Sequence, residues 1–276
     1  MVEQQRSRKP RQTRRPRQRS NRPTREELLE AWKPGTELGV KVKAGEITSL
    51  DQIYEAGHRI MEAEIVDMLV SDLYSELLLI GQAKGKFGGG KRRIFRQTQK
   101  KTKEGNTIKF TTCAVVGNKN GYVGIAFGKS GETVPARDKA SKAAKLNLIK
   151  VRRGCGSWEG EADANSIPFA VTGKCGSSEL TLFPAPKGTG LCVEKECAKI
   201  LEAAGIKDVW SKTKGQTKTK VNLVQACMDA LRNLSAMKVQ ERHVQALGVV
   251  EGAIASNKKI IDESVAIPAE EVKASQ

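Results

Sequence analysis

Aromatic residues make up 4% of this 276-residue chain, and histidine occurs twice, as His58 and His243. Two histidines in unrelated contexts leave no material for a nucleophile–histidine–carboxylate constellation or for a histidine-built metal centre. The six cysteines, Cys113, Cys155, Cys175, Cys192, Cys197 and Cys227, include no CxxC pair. Scattered through apolar segments, they read as reduced thiols serving as small core hydrophobes, and they predict a reducing, cytosolic setting without zinc or disulfides. No apolar run approaches the roughly 20 residues of a membrane span, and no apolar secretory segment follows Met1. No membrane partner is therefore expected.

Positive charge is what the chain has in excess. Lys and Arg number 48 against 31 Asp and Glu, a formal net charge of +17. With 38% hydrophobic residues the chain can build one or two packed domains, and the cationic surplus calls for a polyanionic partner, foremost nucleic acid. Residues 1–25 concentrate this charge: Arg11, Arg14, Arg15, Arg17 and Arg19 lie among Gln, Ser, Pro and Thr, with Glu3 as the one acid. Such a segment cannot form a core, and its like charges condense favourably onto RNA phosphates with release of counterions. It is expected to be a disordered RNA-binding arm.

Residues 26–90 predict a helical extension. Thr24 is placed to cap "REELLEAW", "SLDQIYEAG" opens on a Ser-x-x-Gln capping box at Ser49 and stops at Gly57, and "EAEIVDMLV" is a further amphipathic helix. The run Leu77-Leu78-Leu79-Ile80 fits a helix end or a strand, and Gly88-Gly89-Gly90 reads as a joint.

Residues 91–154 carry a β signal. "RRIFRQTQK" and "TIKFTTCAVVG" predict antiparallel strands, Arg92–Lys100 and Thr107–Val116, around the basic loop "KTKEGN". Asn120-Gly121 suits a tight hairpin, after which "YVGIAF" puts Val123, Ile125 and Phe127 on one face. Gly128 and Gly131 are expected to swing the chain into the helix "ARDKASKAAKLNLI", with alanines along one side and Lys139, Lys142 and Lys145 along another. Gly128-Lys129-Ser130 matches the end of a phosphate-binding P-loop, but that motif needs a glycine five residues before Gly128, and Val123 stands there inside a strand. A nucleotide site is not expected.

Residues 155–166 form a glycine-rich polar linker, with Arg152 and Arg153 just before it. Residues 167–234 then read as β-α-β-α: two strands around a turn at Gly173–Ser177, the helix "VEKECAKILEAAG" ended by Gly205, the short strand "KDVW", and the helix "VNLVQACMDALRNL" with Val224, Met228 and Leu231 on one stripe. Two loops, "APKGTG" and "SKTKGQTKTK", are placed at helix N-termini, where free amides and lysines favour phosphate; the alternative is solvated loops. Residues 235–276 form a C-terminal extension with room for a helix. The fold class is α+β, with two domains.

Taken together, "FTTCAVVGNKNGYVGIAFGKSGETVPARDKASKAAKLNLIKVRRGCGSWE", "VTGKCGS", "PAPKGTG", "AGIKDVWSKTKG" and "VNLVQACMDAL" resemble the universal small-subunit ribosomal protein five, the S-five family. "LGVKVKAGEITSLDQI" and "EAEIVDML" resemble its archaeal and eukaryotic branch. The resemblance covers roughly Leu38 to Leu234. It implies a first domain like double-stranded-RNA-binding domains, a β-α-β-α second domain, no catalysis and no cofactor. It further implies partners: small-subunit rRNA, ribosomal proteins of the S-four and S-eight families, and mRNA in the channel through which it enters.

The resemblance places Lys100, Lys101, Lys103 and Lys109, on the basic hairpin, in RNA-facing roles. Arg92, Arg93, Arg96, Lys129, Arg137, Arg152, Arg153, Lys212, Lys214 and Lys218 complete the RNA-binding candidates. Thr107 stands where archaeal relatives often carry a second basic residue, which removes one charge from the grip on mRNA. "GEADANS" lacks the further cysteines and histidine found in some members, so no metal is expected at Cys155. Two other functions are consistent with parts of the sequence, an RNA-binding protein acting outside the ribosome and a nucleotide hydrolase.

Overall fold

Four short helices lead into the first sheet. In a computed structural model, which describes residues 25–70, 72–83, 85, 91–156 and 164–253, they are α1 (Arg25–Glu30), α2 (Glu37–Ala44), α3 (Leu50–Glu55) and α4 (Ala63–Leu69). Helix α1 belongs to a first unit that ends at Lys33, and the chain from Pro34 onward packs as a second unit. The Thr36 hydroxyl accepts the Gly39 N–H at 3.1 Å and starts α2. The capping box expected at α3 does not form: Ser49 makes no side-chain cap bond, and Gln52 Oε1 accepts the N–H of Thr48, one residue before the cap, at 3.1 Å. Gly57, at φ 70°, ends that helix as expected. The arginine arm, the Thr24 cap and the Gly88–Gly90 joint lie outside the described residues.

Of the ambiguous run Leu77-Leu78-Leu79-Ile80 only Leu77 lies in a strand, as the last residue of β1 (Tyr74–Leu77), and the other three follow it outside any regular element. Strand β1 is followed by β2 (Arg96–Thr102), β3 (Gly105–Gly117), β4 (Tyr122–Ser130), α5 (Thr133–Leu146) and β5 (Leu148–Lys150). The sheet order is β1-β3-β4-β5, and β2 shares an edge of β3 with β1. Strand β1 pairs with Ala114–Gly117 and β2 with Gly105–Thr111, all antiparallel. At the turn after β3, positive φ falls on Lys119 and Gly121, and Asn118 Oδ1 accepts the N–H groups of Asn120 and Tyr122.

Helix α5 lies on one face of this sheet through Ala136, Ala140 and Ala144, all fully buried at i, i+4 and i+8. Gly124 and Gly128 make that contact possible. A Cβ at Gly128 would stand 2.1 Å from the Ala136 carbonyl oxygen, and one at Gly124 would stand 2.4 Å from that of Ala144. Gly128 therefore admits the helix backbone from within β4, and the chain turns from strand to helix across Gly131-Glu132 without a positive φ at either glycine.

The opposite face sends Cys113, Val115, Val123 and Ile125 into a core continuous with the second sheet. After β6 (Arg152–Arg153) come β7 (Val171–Cys175), β8 (Ser178–Pro184), β9 (Leu191–Cys192), α6 (Lys195–Ala204), β10 (Val209–Gly215), α7 (Lys220–Ala236), α8 (Glu241–Ala246) and β11 (Val250–Glu251). The second sheet has the order β7-β8-β10-β9, with β9 and β10 parallel. Leu180, Leu182, Ile200, Leu201, Met228 and Leu231 are buried in the same cluster as Leu78 and Val115. Each such side chain contributes about 1.5–3 kcal/mol on removal from water, and the cluster joins residues before and after the expected linker, of which residues 157–163 lie outside the described residues.

Two expected boundaries move. The β7–β8 turn is Gly176-Ser177, while Gly173 lies inside β7, where a Cβ would meet the Ala226 carbonyl oxygen of α7 at 2.2 Å. Strand β10 runs on from "KDVW" through Lys212 and Lys214 to Gly215, all seven residues paired with β8. The C-terminal extension holds a helix, α8, and its strand β11 pairs with β6.

Candidate nucleic-acid interface

The basic loop expected at Lys100–Lys109 is a two-stranded ribbon. The ladder between β2 and β3 continues to Thr102↔Gly105, so Lys100, Lys101 and Lys109 sit on strands, and Lys103-Glu104 alone makes the tip. Gly105, at φ 116°, provides the backbone that this tight reversal requires. Strand β4 ends at Ser130, opposite Phe110, so Gly105–Lys109 projects beyond the three-stranded part of the sheet. Arg96, Lys100, Lys101, Lys103, Lys109 and Lys129 are exposed, and among the described residues none forms an ion pair. Their field is left for a partner.

Pairing places several of these cations on one face. Arg96 and Lys129 flank Thr111 from opposite sides, and Lys109 and Lys100 follow in the same series, opposite Thr98 and Thr107. Directly paired residues share a face and neighbours along a strand alternate, so this side is a cationic stripe. Lys101 faces the other way, with Gln97, Gln99 and Asn106. Those amides were missed by reasoning on charge alone; period-two alternation carried through the lysines would have found them. Lys129 itself lies within a strand, opposite Thr111, and does not open a helix as a P-loop lysine does.

The other candidates divide. Arg93 is exposed, but Arg92 is half-buried and donates to the carbonyl of Lys218 at 2.9 Å and to that of Gly81 at 3.4 Å, tying the strand entrance to the loop before α7. Arg137 is exposed on α5, 4.0 Å from Asp138. Lys212 and Lys214 lie on the exposed side of β10 together with Trp210, and Lys212 Nζ stands 5.9 Å from the centre of the Phe183 ring. Lys214 lies directly opposite Glu179, whose carboxyl is held below its usual range chiefly by the hydrogen bond from Lys174. Lys218 is exposed.

Arg152 and Arg153 are corrections to the sequence reading. They are 9% and 2% exposed. Arg152 donates to the carbonyls of Leu234 and Met237 at 3.2 and 2.5 Å and pairs with Glu251. Arg153 Nη2 donates to Asn120 Oδ1 and to the Gly252 carbonyl, both at 2.9 Å, and burial lowers its pKa from the ordinary value. Both guanidiniums are therefore committed to the fold, clamping the C-terminal extension onto β6.

The anion site expected at "APKGTG" is likewise occupied by the protein. The helix after that loop starts only at Lys195, and Glu194 Oε2 accepts the N–H groups of Glu196 and Cys197 at 2.9 and 3.4 Å. Lys220 neutralises the same carboxylate at 2.6 Å. Two of the three lysines on α5 are paired to α4, Lys145 with Asp67 at 2.7 Å and Lys142 with Glu64 at 3.5 Å. Among the described residues no helix is long and apolar enough to cross a membrane.

Two family models match this chain. The model described as Ribosomal protein S5, N-terminal domain, covers residues 94–152, and that described as Ribosomal protein S5, C-terminal domain, covers residues 173–243. The small ribosomal subunit protein uS5 of Nanoarchaeum equitans is 47% identical over 227 residues, spanning 82% of this chain and 97% of that protein. The chain belongs to the ribosomal protein S5 family. The uS5 proteins of Methanosphaera stadtmanae and Methanocaldococcus jannaschii are 46% and 41% identical, over 81% and 82% of this chain and 92% and 98% of their own lengths. The S5 N-terminal match contains the whole ribbon, Lys129 and Arg137, and the S5 C-terminal match contains Lys212, Lys214 and Lys218.

Proposed function

We propose that this S5-family chain is a non-catalytic constituent of the small ribosomal subunit, holding rRNA and supporting translation. The observation that carries the reading is the projecting ribbon, whose five cations face one carboxylate, Glu104, and form no ion pair among the described residues. Unneutralised lysines on an exposed two-stranded element attract phosphates, and each neutralised phosphate releases counterions. The names and full-length coverage of the relatives supply the assembly. Within it, the ribbon lines the channel through which mRNA enters, and the body packs beside proteins of the S-four and S-eight families.

Cosedimentation with small subunits in a low-magnesium gradient tests the assembly, and a chain that stays at the top of the gradient refutes it. Substituting Lys100, Lys101 and Lys103 together by Ala is expected to reduce crosslinking to mRNA on the entering side while the melting temperature stays within about 2 °C, as for other exposed substitutions. Undiminished crosslinks would remove the ribbon from the interface.

A further inference from the structure

The two faces of the ribbon differ in chemistry. On one, Arg96, Lys100 and Lys109 alternate with threonines, as the pairs Arg96↔Thr111, Thr98↔Lys109 and Lys100↔Thr107 require. On the other, the pairs are Gln97↔Phe110, Gln99↔Ile108 and Lys101↔Asn106. Three carboxamides, one aromatic ring, one aliphatic side chain and a single cation make that second face. Gln97, Gln99 and Asn106 are exposed, Ile108 is 37% exposed and Phe110 is half-buried. Nearer the sheet centre the same face is covered by α5, through Ala114, Val116 and Ala126 against Ala140 and Ala144; along the ribbon all of these side chains remain open to solvent or half-buried.

A carboxamide donates and accepts at once, the pattern that pairs with the edges of nucleobases, and it has no net charge with which to hold a phosphate. Aromatic and aliphatic groups beside it offer stacking and apolar contact to a base plane. An RNA duplex hides its base edges in a deep, narrow major groove, so such a face suits unpaired bases. We propose that the Gln97, Gln99 and Asn106 face of the ribbon binds the bases of single-stranded RNA, while the opposite, cationic face holds phosphodiester backbone. This rests on the RNA-binding function above and adds to it a division of labour between the faces.

The test uses the full chain and two fluorescein-labelled probes, a single-stranded RNA 12-mer of mixed sequence and a 12-mer of the same backbone without bases. The wild-type protein is expected to prefer the base-bearing strand by about tenfold, the scale of one good amide–base pair. Gln97→Ala/Gln99→Ala/Asn106→Ala, all at exposed positions, should bring that ratio close to one with binding of the abasic strand unchanged. Arg96→Ala/Lys100→Ala/Lys109→Ala should weaken both probes alike and lower the slope of log K against log salt by about 2, since each phosphate neutralised on a single strand adds about 0.7 to it. Equal wild-type affinities for the two probes, or a preference that survives the amide substitutions, overturns the two-face proposal. Failure of the wild-type protein to bind either probe overturns the RNA-binding function itself.

Discussion

Replacing Gly128 with alanine separates two readings of Gly128-Lys129-Ser130 by a single methyl group. In the structure that methyl would stand 2.1 Å from the Ala136 carbonyl oxygen, 2.5 Å from the Ala140 nitrogen and 2.9 Å from Ala140 Cβ. The first two are backbone atoms of α5, which cannot step aside unless the helix moves. Restoring ordinary separations requires α5 to retreat by more than about 1 Å, a gap that forfeits a quarter to a half of each dispersion interaction it opens. Those interactions seat Ala136, Ala140 and Ala144, each 0% exposed. Overpacking of this kind costs about 1–3 kcal/mol, and the rigidity of the clashing atoms puts Gly128→Ala at the upper end, about 3 kcal/mol. For a domain of this size the melting temperature should fall by about 6–12 °C. Gly131→Ala is the control: nothing lies within 4 Å of its Cβ position and its φ is not positive, so its effect should stay within about 0.5 kcal/mol. Thermal and urea unfolding followed by circular dichroism measure both, with ATP and GTP binding followed by calorimetry. Wild-type stability of the Gly128→Ala chain, together with nucleotide binding that the substitution alters, would refute the packing argument.

Gly121→Val should be more damaging, because φ at this position is 97° and the added Cβ would meet the Gly252 carbonyl oxygen at 2.2 Å; folding yield and proteolysis near residue 252 report it, and unaltered folding would refute the turn assignment. Arg153→Met removes donors to Asn120 and Gly252 and is expected to cost about 2–4 kcal/mol, with the salt dependence of RNA binding unchanged; a shallower slope at wild-type stability would return Arg153 to the RNA-facing set. Burial, reinforced by Asp51, pushes the Tyr54 phenol up to about 12, and its hydroxyl donates to the Leu148 carbonyl at 3.0 Å. A folded-state pKa above the unfolded value of 10 stabilises the fold fully below pH 10, and that stabilisation is lost as pH rises through 12. A Tyr54→Phe chain should therefore lose less stability than the wild type between pH 10 and 12, and equal losses would contradict the assignment.

The elements legible in the sequence were those whose cause is local. Alternation in "YVGIAF", the Gly57 and Gly205 stops and the alanine stripe of α5 each depend on residues within a turn or two of one another. The ribbon was seen but cut short, because lysines and threonines interrupt the apolar alternation. A β-ladder is made by the backbone, so it continues to Thr102↔Gly105 whatever the side chains. The same limit shortened β10 at Trp210. Arg152 and Arg153 could not be placed by any local window: what buries them is a strand at Val250–Glu251, almost a hundred residues on. Gly124, Gly128 and Gly173 were visible as glycines, but their common reason, a helix backbone lying within about 2.4 Å of a missing Cβ, is tertiary.

Charge is where sequence and structure must be read together, since a net +17 does not say which cations are available to a partner. The fold uses part of the surplus itself. Lys145 joins α5 to α4, Lys150 joins β5 to Asp51 at the start of α3, Lys199 joins α6 to Glu76 on β1, and Lys220 holds the cap of α6, all at 2.6–2.7 Å. Arg152 and Arg153 hold the C-terminal extension. Each of these cations gives up water for a partner within the protein, a trade in which the cost of desolvation offsets much of the Coulombic gain. The ribbon cations have no such partners and keep their hydration until a polyanion displaces it. Sorting lysines and arginines by partner and burial, rather than by count, is therefore what narrows the candidate interface among the described residues to Arg93, Arg96–Lys109, Lys129, the exposed side of β10 and Lys218.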